Sequence, residues 1–123
     1  MNEITFKTSW GTKLRFSPLI SKALAEQFEV ESEEWQGYAD LSFSSANCLA
    51  KKLGKRLPTS TELHELHVWL ARNPDRSWPI GANALWSSTV SNTGAHCSVL
   101  LFNASCDSDN DERHCYVSCV SNG

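Results

Sequence analysis

The residues with chemistry to offer are few and unevenly placed. Five cysteines and four histidines occur in 123 residues, and four of the cysteines fall between Cys97 and Cys119. A metal site would want close pairs such as C-x-x-C, and the tightest spacing present is Cys115-Tyr-Val-Ser-Cys119. The cysteines therefore read as the disulfide set of an oxidising compartment, with one thiol left over by the odd count. His64-Glu-Leu-His67 approaches the zinc-protease pattern. That chemistry needs histidines four apart and a third ligand; here they are three apart with no such ligand. His64 is expected to be exposed and His67 partly buried. Asp107-Ser-Asp-Asn-Asp-Glu112 begins like a calcium loop, but the positions that want glycine and glutamate hold Glu112 and Ser118. It reads as a solvated hairpin tip. There is no G-x-S-x-G, no thiol-protease signature around any cysteine and no glycine-rich phosphate loop. No catalytic residue, metal ligand or cofactor is assigned, and no enzyme is expected.

What remains is recognition by exposed side chains. Arg76, Trp78 and Pro79 occupy a stretch between a helix and a strand, and Trp and Arg are common binding anchors. Asp107, Asp109, Asp111 and Arg113 supply a second, charged set. The partner is not nucleic acid: Lys plus Arg number 11 against 14 Asp plus Glu, for a net charge of −3. With 41% hydrophobic and 20% charged residues the balance is that of a globular chain of one domain, 1–123. The longest apolar runs, as at 84–86 and 99–102, are far too short to span a bilayer. No signal peptide is visible, so an oxidising destination implies a piece of a larger exported protein, with Met1 as an added start.

The elements that must position these residues follow from periodicity. Ile4 and Phe6, then Leu14 and Phe16, alternate with polar residues around Trp10-Gly11, consistent with a short hairpin or two edge strands. Residues 19–28 carry helix formers. Residues 29–34 hold four glutamates and read as a solvated loop, with Trp35 and Tyr38 anchoring the return to the core. Residues 44–53 form an amphipathic helix stopped by Gly54, and Cys48 lies within it. Pro58 separates it from a second helix opened by the capping box Thr59-Ser-Thr-Glu62 and ended by Asn73-Pro74. Strands are expected at 84–90 around Trp86, at 96–103 and at 114–120, with a polar loop at 106–113. The class is α+β: two helices packed on short antiparallel strands. On an extended strand Cys115 and Cys119 would stand roughly 13 Å apart, beyond a disulfide's reach of about 7 Å, so each needs another partner. Cys97 and Cys106 would likewise be too far apart if 96–103 is one strand.

An ordered set of motifs spans Ala46-x-Cys48, Leu53-Gly-Lys-Arg-Leu-Pro-Thr59, Glu62-Leu63, Leu66, Trp78-Pro79, Leu85-Trp-Ser-Ser-Thr89 and Tyr116-Val-Ser-Cys-Val120. Together with Phe16-Ser-Pro-Leu19 it resembles the C-type lectin-like domains at the tips of bacterial adhesins of the invasin and intimin type. The resemblance implies a C-type lectin-like fold stapled by Cys48–Cys119, joining the first core helix to the last strand. For Cys115 the favoured partner is Cys106, with Cys97–Cys115 as the rival. It also implies an extracellular domain of an outer-membrane-anchored parent, preceded by other domains and monomeric in itself. Such a domain would bind a host or environmental surface receptor, protein or glycan, through Arg76, Trp78, Asp107, Asp109, Asp111 and Arg113. The Glu-Pro-Asn, Gln-Pro-Asp and Trp-Asn-Asp motifs of calcium-dependent sugar binding are absent. Gly-Lys-Arg-Leu-Pro-Thr59 also looks like the formylglycine-generating enzymes, but those are much longer and need copper-binding cysteines in added loops. A structural cap on a stalk, binding nothing, is the alternative.

Overall fold

The computed structural model describes residues 3–75, 78, 84–91, 94–101, 103–109 and 113–122. Of the two arrangements open to the first alternating segments, the hairpin forms: β1 (Ile4–Lys7) pairs antiparallel with β2 (Lys13–Phe16), Ile4 opposite Phe16. Its third strand comes from the far end of the sequence, β8 (Val120–Asn122), with Phe16 opposite Val120. A single sheet thus ties the two ends of the chain together.

The next helix, α1 (Lys22–Gln27), is shorter than its propensity predicts. Ser21 caps it by accepting the Leu24 N–H. The residue before the cap is drawn into extended pairing instead: Ile20 donates its N–H to the Val117 carbonyl and accepts one from Ala39. The expected glutamate loop also acquires structure. Glu33 and Glu34 belong to β3 (Glu33–Trp35), which pairs with β4 (Tyr38–Asp40) across a two-residue turn. Gln36 and Gly37 both adopt positive φ, 51° and 85°, the turn whose twist matches that of the flanking strands.

Two longer helices follow their sequence signals closely. In α2 (Phe43–Lys52), capped by Ser42, the buried stripe is Ala46, Leu49 and Ala50, and Gly54 at φ 71° ends it. In α3 (Ser60–Arg72) both halves of the capping box are made: Thr59 Oγ1 accepts the Glu62 N–H and Glu62 accepts the Thr59 N–H. Leu63, Leu66 and Leu70 face inward; His64 is exposed and His67 half-buried, its Nδ1 2.6 Å from the Leu101 carbonyl.

A second sheet runs in the order β5 (Leu85–Val90), β6 (His96–Val99), β7 (Cys106–Asp109), all antiparallel. The strand expected over 96–103 stops at Val99. There the chain reverses, Ala104 N–H bonding to the Leu100 carbonyl and Leu100 N–H to that of Ser105. The residues read as a polar loop then return as β7, Val99 opposite Cys106 and His96 opposite Asp109. Their composition hid a strand whose pairing, not its propensity, makes it form.

The segment before β8 departs furthest from expectation. It does not alternate: every residue from 115 to 120 is fully buried. Its backbone is the hub of the molecule. Cys115 exchanges hydrogen bonds with Leu41, Tyr116 receives one from Trp86 and gives one to Ala84, and Val120 exchanges with Arg56. Ser17 binds it three times: its N–H to the Cys119 carbonyl, its Oγ accepting the Cys119 N–H, and its carbonyl accepting the Ser118 hydroxyl. This segment lies between two apolar clusters, Tyr116 and Val120 in the one formed with α3 and the first sheet, Val117 and Cys119 in the one formed with α2 and Trp86. Trp86 donates its indole N–H to the Leu41 carbonyl at 2.7 Å.

The disulfide expectations are corrected here. No disulfide joins any of the five cysteines. Cys48 stands on the exposed side of α2, away from the Ala46-Leu49-Ala50 stripe that packs inward, whereas Cys119 is buried beneath that stripe's cluster. Cys115 is buried and Cys106 exposed on β7, so that pair is not formed either. Cys106 is instead the neighbour of Cys97. Because β6 ends early, register puts both on one face of the ribbon at diagonal positions, and the two thiols hydrogen-bond. Burial first, and then Cys97, push the Cys106 thiol up to about 11.

Candidate functional site

The motif residues that carry the family resemblance turn out to be committed to one another. Arg56 Nη1 and Nη2 bind the two oxygens of Glu62 at 2.7 and 2.8 Å. Ser88 N–H donates to the Pro58 carbonyl, Thr89 Oγ1 accepts the Ser60 N–H at the start of α3, and Ser87 Oγ donates to the Cys97 carbonyl across the irregularity in β5. These side chains cap, bridge and pack. A functional surface must therefore lie elsewhere.

The predicted contact residues are distributed as follows. Arg76 and Asp111 lie outside the described residues. Trp78 is 2% exposed and part of the core with Leu70 and Leu101, so its assignment as a surface anchor is overturned. Its apolar ring is spent on packing in the cluster under α3. Asp107 is exposed on β7 opposite Ser98, Asp109 holds the register position opposite His96, and Arg113 is exposed just before the buried hub. Among the described residues no group of three or more His, Cys, Asp or Glu side chains is arranged to hold a metal ion.

Two of the clefts among the described residues lie beside α2. One cleft of about 220 Å³ is lined by Glu31, Ser32, Glu33, Ser42, Ser45 and His114. A second, of about 230 Å³, shares Glu31 and Ser45 with it and continues along the helix past Ser44 and Cys48 to Lys52. The two form one groove between the 29–33 segment and the exposed flank of α2. Its far end is closed by Lys52, whose Nζ donates to the Phe28 carbonyl at 2.9 Å. Its floor is ordered by caps: Ser42 Oγ accepts the Ser45 N–H and donates to Ser45 Oγ. Lys22 Nζ reaches the Ser32 carbonyl and Oγ and holds the opposite wall. Glu33 Oε2 lies 3.4 Å from His114 Nδ1, a buried ring nitrogen with no hydrogen-bond partner among the described residues.

An exposed aromatic ring lies on the same strand as Glu33. Residues two apart on a strand share a face, so β3 presents Glu33 and Trp35 on the same side, roughly 7 Å apart along the strand. Trp35 is 53% exposed, against the expectation that it would return to the core. Tyr38, its hairpin partner, does so, edge-on to Tyr116 at 5.7 Å. Tyr116 OH also reaches the Trp35 carbonyl, so the exposed indole is mounted on an anchored backbone. At the other side of the α2 N-terminus, Phe43 stacks on His96 with ring centroids 3.5 Å apart, and Val90, the register partner of His96, is 60% exposed. The groove and the His96 end of the β6–β7 ribbon thus meet at the N-terminus of α2, through Ser42 and Ser45 on one side and Phe43 on the other. Sequence reasoning missed Glu31, Glu33, Trp35, Ser42, Ser45 and His114 as a set. The signal present was Gln36-Gly37 between two aromatic residues, a two-residue hairpin turn.

Comparison with known proteins places the chain. Residues 9–120 match a family described as an adhesion domain, InvE_AD. Among solved structures, the adhesin InvE of Yersinia pseudotuberculosis is similar, with a TM-score of 0.67 at 18% sequence identity over 95% of this chain. The chain spans about a third of that protein, 33%. No curated protein matches.

Proposed function

Because this chain belongs to the InvE adhesion-domain family, we propose that it is the ligand-recognition domain of a bacterial surface adhesin, acting by binding and not by catalysis. The observation that carries this reading is the family match over 9–120, nearly the whole chain. In this reading the fold is a single C-type lectin-like domain. Its joined terminal strands, two core helices and second small sheet support that assignment. The domain lies outside the cell, carried by preceding domains of an outer-membrane-anchored parent, and is monomeric in itself. Among the described residues no helix is long and apolar enough to cross a membrane. Its partner is a host or environmental surface receptor, protein or glycan. The contact surface is the face around the α2 N-terminus, with Asp107 and Asp109 on the β6–β7 ribbon and Arg113 just before the buried hub; rigid elements position such exposed segments for recognition.

The test is binding of the labelled 123-residue chain to cultured animal cells, beside a heat-unfolded control. Saturable binding that requires the folded chain is the expected result. Absence of binding on several cell types would instead favour a stalk cap. That second reading draws on one observation: the side chains of the shared motifs, Arg56, Glu62, Ser87 and Thr89, are all engaged internally. A cap would reveal itself when its deletion impairs export of the parent protein.

A further inference from the structure

The β6–β7 ribbon brings together two thiols that a chain reversal separates in the sequence. β6 runs through the middle of its sheet and β7 is an edge, paired on one side among the described residues. Cys97 lies opposite Ser108 and Cys106 opposite Val99, so both cysteines project from one face at diagonal positions. We propose that this pair is an oxidation site: exchange with a small-molecule disulfide closes Cys97 and Cys106 into a reversible cross-strand disulfide that pins β7 to β6. The inference goes beyond the adhesin reading, which contributes only an oxidising exterior.

The two side chains are already in hydrogen-bond contact. Diagonal neighbours stand roughly 7–8 Å apart at Cα, at the edge of the roughly 7 Å that a disulfide spans, so one strand must yield as the bond closes. β7 is the strand that can. Cys97 is held from β5, whose Ser87 Oγ donates to its carbonyl at 2.7 Å, whereas Cys106 opens the edge strand just after the 100–105 reversal. A bond closed against that distance stores strain and is readily reduced, as regulatory disulfides are. The remaining cysteines are placed otherwise: Cys48 on the outer flank of α2, Cys115 and Cys119 buried. A metal would need further ligands, and among the described residues no group of three or more His, Cys, Asp or Glu side chains is arranged to supply them.

The exchange proceeds by two displacements. Partial burial of the Cys106 sulfur, and then Cys97, make Cys106 keep its proton, so the Cys97 thiolate attacks first. Its sulfur bonds to one sulfur of the donor, whose S–S bond breaks, and the departing thiolate takes up a proton. Cys106 then gives its proton to solvent, attacks the Cys97 sulfur of the mixed disulfide and expels the second donor thiolate, which is protonated in turn. One S–S bond forms for one broken, and two electrons and two protons pass from the chain to the donor.

The probe is oxidised glutathione, applied to the folded 123-residue chain and to its Cys97→Ser and Cys106→Ser variants before acid quenching and peptide mapping without reductant. Cleavage after Leu100 and Leu101 separates the two cysteines unless a disulfide joins them. A Cys97–Cys106 link is expected, exceeding any other linked pair about tenfold or more and abolished by dithiothreitol. Cys48 should stop at the glutathione mixed disulfide, as should the cysteine left in each variant. Amide exchange over Cys106–Asp109 should slow about tenfold on oxidation and recover on reduction. Glutathione on both Cys97 and Cys106, or a link no commoner than in the urea-unfolded chain, overturns the proposal. Unchanged exchange in a chain that carries the link overturns the pinning of β7. Cell binding tests the adhesin reading separately, and neither result depends on the other.

Discussion

Arg56 grips Glu62 with both terminal nitrogens, 2.7 and 2.8 Å, across the Leu57-Pro58-Thr59 corner that joins α2 to α3. The same carboxylate accepts the Thr59 N–H at 2.8 Å, so one buried side chain closes the capping box and staples the corner. The Arg56 backbone in turn exchanges hydrogen bonds with Val120. A local helix signal is thereby bound to the C-terminal hub. Replacing Glu62 with Ala should destabilise the chain by roughly 2–3 kcal/mol, through the lost cap and the lost charged hydrogen bonds. Thermal unfolding measures it; a change within error would remove the staple from this account.

Acid should act through the same residue. Burial alone would raise the Glu62 carboxyl, but the Arg56 and Thr59 hydrogen bonds prevail and hold it below the ordinary carboxylate range. Its folded value is therefore below its unfolded one, near 4.3. The stabilisation is full above the unfolded value and fades as pH falls toward the folded one. Stability measured from about pH 6 down to about pH 3 should decline, and Glu62→Gln should flatten that decline. An unaltered acid limb in the variant would assign it to other carboxylates.

Two tryptophans should respond in opposite ways. Trp78, buried in the core, should cost about 3–5 kcal/mol on truncation to Ala. Trp35, half-exposed, should change stability by no more than about 0.5 kcal/mol. Denaturant unfolding of the two variants separates a packing role from a contact role, and equal losses would contradict the burial pattern.

Thiol chemistry should sort the cysteines. Cys48 should be alkylated fastest, while Cys115 and Cys119 should wait for unfolding; burial also pushes the Cys119 thiol up to about 11. Cys106 should also react slowly at about pH 8, because partial burial of its sulfur and then the hydrogen bond to Cys97 push the thiol up to about 11 and disfavour the thiolate. Cys97→Ser should quicken it. Peptide-resolved labelling reads all of these rates, and a fast Cys106 in the unsubstituted chain would deny the thiol contact.

Local chemistry was sufficient for the helices. Thr59 with Glu62, Ser42 with its serines, Gly54 after Leu53, and the Leu63-Leu66-Leu70 stripe each act within a few residues, so their signals are complete in the sequence. The β1–β2 hairpin was legible for the same reason, as alternation around a glycine turn. The α+β class and the adhesin resemblance followed from these pieces in order. Everything depending on distant pairing was not legible. Asp107 and Asp109 lie in a strand because β6 is there to receive them, and the 115–120 segment is buried on all sides because Leu41, Arg56, Ser17 and Trp86 close around it. The groove is the furthest case, since Glu33, Ser45 and His114 meet only after the chain has crossed the molecule. A hydrogen bond or cleft between residues far apart in sequence leaves no local trace, because loop-closure entropy and packing, not neighbouring side chains, decide whether it forms.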